Sequence, residues 1–252
     1  MRLLLTNDDG IDAEGLRALA ALLTPIHEVT VVAPREERSA SAHSFTMHHI
    51  LRLTPREMDG VRGAYACSGT PVDCVKMALD LLYDAPPDLI ISGINKGENL
   101  GTDALYSGTV SAAMEGAIRG VKAVAFSLSV RRDSPDFSLA ARISADLAGQ
   151  LARAEWPTGC MMNVNIPASR PTGLRVTRMG LQCFDDHYIR HTDPRGGDYY
   201  WMDGQRLAHA PDEDSDVAWA AKGCITVTPL GFDLTRGDLL PRLSLSWEEN
   251  HA

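Results

Sequence analysis

The chain has 252 residues, 44% of them hydrophobic and 23% charged, which suits one large α/β domain or a core with an appendage and excludes an intrinsically disordered protein. Its net charge of −9 excludes a protein that grips duplex nucleic acid through many phosphate contacts, since that needs a basic face. A small anionic substrate stays open, because a bound divalent cation reverses the local sign of an acidic pocket.

Leu3-Leu4-Leu5 reads as a buried strand that begins at once, without the cationic start and apolar stretch of a secretory leader. Asp12 is placed to cap a helix that buries Leu16, Leu19, Leu22 and Leu23. Residues 29–33 form a second apolar strand, ended by Pro34. Thr70-Pro71-Val72-Asp73 opens a helix with a capping threonine, a proline at the first helical position and an acid three residues on. Pro86-Pro87 breaks the chain before the strand Leu89-Ile90-Ile91. Ser107-Gly108-Thr109 opens another helix, whose apolar stripe is Val110, Ala113, Met114, Ala117, Ile118 and Val121, with Gly120 as its stop. A strand at 124–126, a helix over 138–155 and a strand over 161–166 follow.

Apolar runs alternating with amphipathic segments in this way predict an α/β fold with a mainly parallel sheet covered by helices. From Leu181 the texture changes. Residues 182–216 are rich in Asp, His, Gly, Pro and Tyr with little periodicity, which predicts long loops or a β-hairpin arm; strands at 225–228 and 243–247 then return to a sheet. We therefore expect a catalytic core over residues 1–180 and a C-terminal extension over 181–252. Five scattered cysteines, with no C-x-x-C pair, fit a reduced cytoplasmic protein, and no run reaches the ~18 apolar residues of a membrane span.

In open parallel sheets ligands gather beyond the carboxyl ends of strands, so the polar residues that follow each apolar run are the candidates for chemistry. Asp8 and Asp9 follow the first strand directly, and two adjacent carboxylates repel unless a proton or a cation offsets them. Read alone, the pair fits a hard-cation site and an ordinary acidic turn equally well. Residues 92–101, a glycine-spaced polar loop, offer the Asn95 carbonyl to a metal or backbone amides to a phosphate. The turn at Ser107-Gly108-Thr109 presents a helix N-terminus to an anion, although plain capping accounts for it as well. In the polar loop at 35–44, Ser39 could offer a hydroxyl oxygen to a metal.

Taken together these segments resemble the SurE family of survival-protein nucleotidases. The likeness runs through Leu3 to Ile11, Ala33-Pro34, Arg38-Ser39-Ala40, Ser92 to Asn95, Gly97, Asn99-Leu100-Gly101, Tyr106 to Gly116 and Val227-Thr228-Pro229-Leu230. The resemblance implies a Rossmann-like three-layer core whose C-terminal arm is exchanged between subunits of a homodimer or homotetramer. It implies hydrolysis of nucleoside 5'- and 3'-monophosphates and, in some members, shortening of polyphosphate. By the same resemblance Asp8, Asp9, Ser39 and Asn95 occupy metal-ligand positions, and Asn95, Ser107, Gly108 and Thr109 phosphate-binding ones. One divalent cation per subunit, Mg²⁺, Mn²⁺ or Ca²⁺, suits the all-oxygen donor set.

Asp8 or Asp9 would orient the attacking water or accept its proton. Two alternatives remain at this point: Asp8 as a covalent nucleophile, and a non-catalytic receiver-like cation or nucleotide sensor. The chain departs from the family pattern at Glu14, usually proline, and Cys224, usually aromatic, neither of which is expected to touch the site. Glu98 adds negative charge near the expected substrate mouth.

Overall fold

The computed structural model describes residues 1–130, 135–205, 207 and 212–243. In chain order its elements are β1 (Arg2–Thr6), α1 (Glu14–Leu23), β2 (Glu28–Pro34), β3 (Leu53–Arg56), β4 (Gly63–Cys67), α2 (Pro71–Leu81), β5 (Leu89–Lys96), α3 (Gly108–Ile118), β6 (Ala123–Leu128), α4 (Phe137–Arg153), β7 (Cys160–Ile166), β8 (Leu174–Val176), β9 (His187–Thr192), β10 (Asp198–Asp203), α5 (Asp216–Ala221) and β11 (Ile225–Gly231). Among these residues, nine strands form one sheet in the order β3-β4-β2-β1-β5-β6-β7-β11-β8. All neighbours from β4 to β7 are parallel, while β3 and β11 join antiparallel. This is the doubly wound order, with strand addition reversing between β1 and β5.

Helices α1 and α4 cover one face and α2 and α3 the other, giving three layers with two apolar cores. Successive residues of a strand point to opposite faces, so both faces of each central strand must be apolar. Leu3 and Leu5 enter the core under α1 while Leu4 enters the one under α2 and α3; in β5, Leu89 and Ile91 oppose Ile90 in the same way. Each such fully buried side chain contributes about 2 kcal/mol, which is why these strands read as unbroken hydrophobic runs.

Several local expectations change in the structure. The N-cap of α1 is Ala13, with no side-chain cap, and Asp12 instead pairs with Arg17. Gly10 has φ +103 and its carbonyl receives the Ala13 N–H at 3.1 Å, so a turn precedes the helix and carries the Asp12 side chain past the capping position. On α3 the expected apolar residue Ile118 is exposed, whereas Glu115 is buried. Strands β3 and β4 went unforeseen because β3 is a four-residue edge strand containing Pro55 and β4 opens on glycine.

The capping box of α2 forms as read: Thr70 Oγ1 accepts the Asp73 N–H at 3.1 Å and Asp73 Oδ2 accepts the Thr70 N–H at 2.9 Å. The aperiodic region holds an exposed antiparallel hairpin, β9–β10, outside the main sheet, and β11 returns to pair with β7. Of the strand expected at 243–247, residues 244–247 lie outside the described residues. Among the described residues no helix is long and apolar enough to cross a membrane.

Candidate active site at the reversal of the sheet

The reversal between β1 and β5 opens a crevice beyond their carboxyl ends, the place where doubly wound sheets hold ligands. The turn after β1 carries Asp8 and Asp9 into it and is clamped by its own sequence. Asn7 Nδ2 donates to the Gly10 carbonyl at 2.9 Å, and Asn7 Oδ1 accepts the Gly10 N–H at 3.2 Å. Asn7 was not singled out among the site residues; an asparagine opening a tight Asx-Asp-Asp-Gly turn was the available signal.

Asp8 is only 4% exposed and is docked on the start of α3. Its Oδ2 accepts the Thr109 N–H at 3.1 Å, and its Oδ1 accepts the Thr109 hydroxyl. Burial pushes the Asp8 carboxyl above the usual carboxylate range; the Thr109 bonds oppose that and the nearby Glu37 charge adds to it. Asp9 Oδ2 accepts the Lys96 N–H at 3.0 Å. Burial, with the charges of Asp8 and Glu37, raises its pKa to about 6 against the opposing Lys96 bond. Two neighbouring, desolvated carboxylates are thus left with negative charge that the surrounding chain does not offset. A hard divalent cation fits that deficit and the oxygen donors around it.

The other expected ligands approach from two loops. Arg38 N–H donates to the Asp8 carbonyl at 2.7 Å, drawing the loop that follows β2 against the acid turn, and Ser39 Oγ donates to Glu37 Oε1 at 2.7 Å. Asn95, near the end of β5, donates its Nδ2 to the Gly97 carbonyl at 2.9 Å, which leaves Oδ1 as its ligating atom. At the α3 turn, Ser107 Oγ accepts the Val110 N–H at 3.1 Å as the N-cap. Gly108 has no room for a side chain, since a Cβ there would lie 2.8 Å from both Asp8 Cβ and Ser41 Oγ. Direct contact therefore joins Asp8, Gly108 and Thr109, while Ser39 and Asn95 are tied in through their neighbours.

Two supporting groups escaped the sequence reading. Buried Glu115 meets His43 Nε2 at 3.2 Å, Arg119 Nε at 2.9 Å and Lys76 Nζ at 3.4 Å. Burial pushes its carboxyl up, but these three partners outweigh it and hold the pKa at about 2. Asn99 is fixed by Asn165 and Asn163 of β7 and Ser127 of β6, which pins the loop after β5. Nothing in the local periodicity distinguishes these residues from ordinary polar positions.

The sequence model of the family described as survival protein SurE matches residues 3–186. The chain belongs to the SurE family. A 5'-nucleotidase SurE of Pelotomaculum thermopropionicum is 45% identical over 96% of this chain and 94% of its own length. Another, from Moorella thermoacetica, is 45% identical over 98% of each. The crystal structure of the SurE protein from Aquifex aeolicus superposes with a TM-score of 0.82 at 36% identity, covering 96% of this chain and 98% of that one.

One departure from the SurE pattern lies closer to the site than expected. Glu14 lines a cavity of about 280 Å³ together with Asp9, Glu37, Lys96 and Phe137. The close approach of α1 to β5 brings it there, with Gly15 packed so tightly that a Cβ would fall 2.1 Å from the Ile94 carbonyl oxygen. Cys224 is buried at the start of β11 and lines no part of that cavity.

Proposed function

We propose that this chain is a divalent-cation-dependent phosphomonoesterase that hydrolyses nucleoside 5'- and 3'-monophosphates to nucleoside and phosphate, and that also shortens short polyphosphate. One observation carries the reading: the acid pair after β1 meets the N-terminus of α3, so a cation site and an anion-binding helix end share one crevice. Membership of the SurE family, whose relatives include proteins named 5'-nucleotidase, supports the reaction class.

Asp8, Asp9, Ser39 and the Asn95 carbonyl would hold one Mg²⁺, Mn²⁺ or Ca²⁺. That cation supplies Lewis acidity toward a phosphoryl oxygen and lowers the pKa of water. Asp8 is the anchor, because Thr109 occupies both of its oxygens. Asp9, held by the single Lys96 bond, takes the proton of the attacking water. The start of α3 at Ser107-Gly108-Thr109 and the Asn95 side chain face the charge that develops on the phosphoryl oxygens. The protein works in the cytoplasm as a homodimer or homotetramer, with the β9–β10 arm reaching a second subunit.

Turnover of a panel of nucleoside monophosphates and a short polyphosphate, measured with Mg²⁺, Mn²⁺ and Ca²⁺ and with a chelator, tests the proposal. Release of phosphate that stops on chelation is expected. Hydrolysis that persists undiminished in the chelator, or no hydrolysis with any of the three cations, overturns it.

A further inference from the structure

We propose that the hydroxyl of Ser41 binds the phosphoryl group of the substrate, donating to one of its non-bridging oxygens. The inference rests on the phosphomonoesterase reading and adds to it a residue outside the metal and phosphate positions assigned above.

Ser41 Oγ is closed off from solvent and makes no hydrogen bond. A hydroxyl in that state has lost its water without gaining a partner, which native structures seldom leave unexplained. The other hydroxyls in this condition among the described residues are Thr6, Ser92, Ser144 and Thr226, which lie within β1, β5, α4 and β11. Ser41 alone among them sits on a loop, and that loop belongs to the candidate site.

Its position is set from several sides. Ser41 Oγ and Asp8 Oδ2 lie 2.8 and 2.9 Å from the point where a Gly108 Cβ would stand, so the missing side chain opens a small gap between a hydroxyl and a carboxylate at the first turn of α3. The residues on either side, Ala40 and Ala42, have φ of 54° and 48°, a left-handed conformation that alanine adopts only when its surroundings impose it. Those surroundings are visible. Arg38 N–H holds the Asp8 carbonyl at 2.7 Å, Ala42 N–H holds the Tyr106 carbonyl at 3.0 Å, and His43 meets buried Glu115 of α3 at 3.2 Å. Thr46 then bonds Asp73 of the α2 capping box through N–H and hydroxyl, at 3.0 and 2.7 Å. The loop is thus pinned to the acid turn, to α3 and to α2, and Ser41 is its inward-facing point.

The chemistry selects the ligand. Asp8 Oδ2 already receives the Thr109 N–H, so the Ser41 hydroxyl needs a different acceptor. An oxygen of a tetrahedral anion held against Gly108 supplies one, and binding makes good the hydroxyl's lost hydration. Ser41 is in this sense a substrate-binding residue, distinct from Ser39 on the same loop, whose hydroxyl bonds Glu37.

Ser41→Ala and Ser41→Thr separate the possibilities, with inorganic phosphate as the probe. Calorimetric titration of the Mn²⁺-loaded proteins should show phosphate binding about tenfold weaker in Ser41→Ala, corresponding to about 1.4 kcal/mol. Manganese affinity should be unchanged, kcat/KM should fall in parallel, and Ser41→Thr, which keeps the hydroxyl, should recover most of the loss. Unchanged phosphate affinity in Ser41→Ala overturns the proposal. So does a fall in manganese affinity that matches the fall in phosphate affinity, which would make Ser41 a ligand of the cation, and so does a wild-type protein that binds no phosphate. A wild-type protein that binds phosphate yet hydrolyses no monophosphate defeats the phosphomonoesterase reading alone, and the titration still decides the role of Ser41.

Discussion

Asp8 and Asp9 differ in how they are held, and the difference predicts different consequences of mutation. Asp9→Asn keeps an acceptor for the Lys96 N–H while removing the charge, so the fold should survive and turnover should not. We expect kcat to fall by about 10³-fold or more with an unchanged melting temperature, checked by nucleotidase assay and circular dichroism. Gly108→Ala places a Cβ 2.8 Å from Asp8 Cβ, so the acid turn and α3 must separate. Misplacement of that kind should cost about 10²-fold in kcat/KM and also lower the melting temperature. Glu115 carries a pH signature. Its folded pKa, about 2, lies below the ordinary 4.5, so its stabilisation is present above pH 4.5 and is lost as pH falls toward 2. Glu115→Gln should therefore lose about 1–3 kcal/mol at pH 7 and little at pH 2, as denaturant titrations at both pH values would show.

At the scale of elements, the hairpin β9–β10 has the most to test. All twelve of its residues are exposed, Tyr188, Tyr200, Trp201 and Met202 by about 60–70% each, on a two-stranded ribbon with no sheet to lean on. An isolated ribbon of this kind is marginal in water and gains stability by covering such side chains. Replacing residues 187–203 by a short Gly-Ser turn should convert the proposed oligomer to a monomer in light scattering, while the melting temperature of the core changes little. An unchanged mass would move the interface elsewhere. The fixed elements carry the opposite lesson: α3 is buried almost all round because it serves both as a core helix and as the docking point of Asp8.

At the scale of the molecule, the fold brings acidic groups together at the sheet reversal, and a bound cation should stabilise the whole chain. At a cation concentration about 100 times its Kd the gain is about 2.7 kcal/mol, or roughly 5–10 °C in melting temperature for a chain of this size. Scanning calorimetry with and without chelator would detect it. Much of this architecture was legible in the residues. Runs such as Leu3-Leu4-Leu5 and Leu89-Ile90-Ile91, the Thr70 capping box and the acid pair after the first strand follow from hydrophobic periodicity and local hydrogen bonding, which act over a few positions. The sequence by itself therefore determined the α/β class, the order of the central strands and helices, and the two carboxylates at the end of β1. Only the tertiary structure decided that Thr109 clamps Asp8, that Glu115 is buried against His43, that Glu14 lines the cavity beside Asp9 and that Ser41 faces Gly108. Each of those contacts joins residues that the chain keeps apart until the sheet and its helices have packed, and no local pattern records which distant partner a polar side chain will meet.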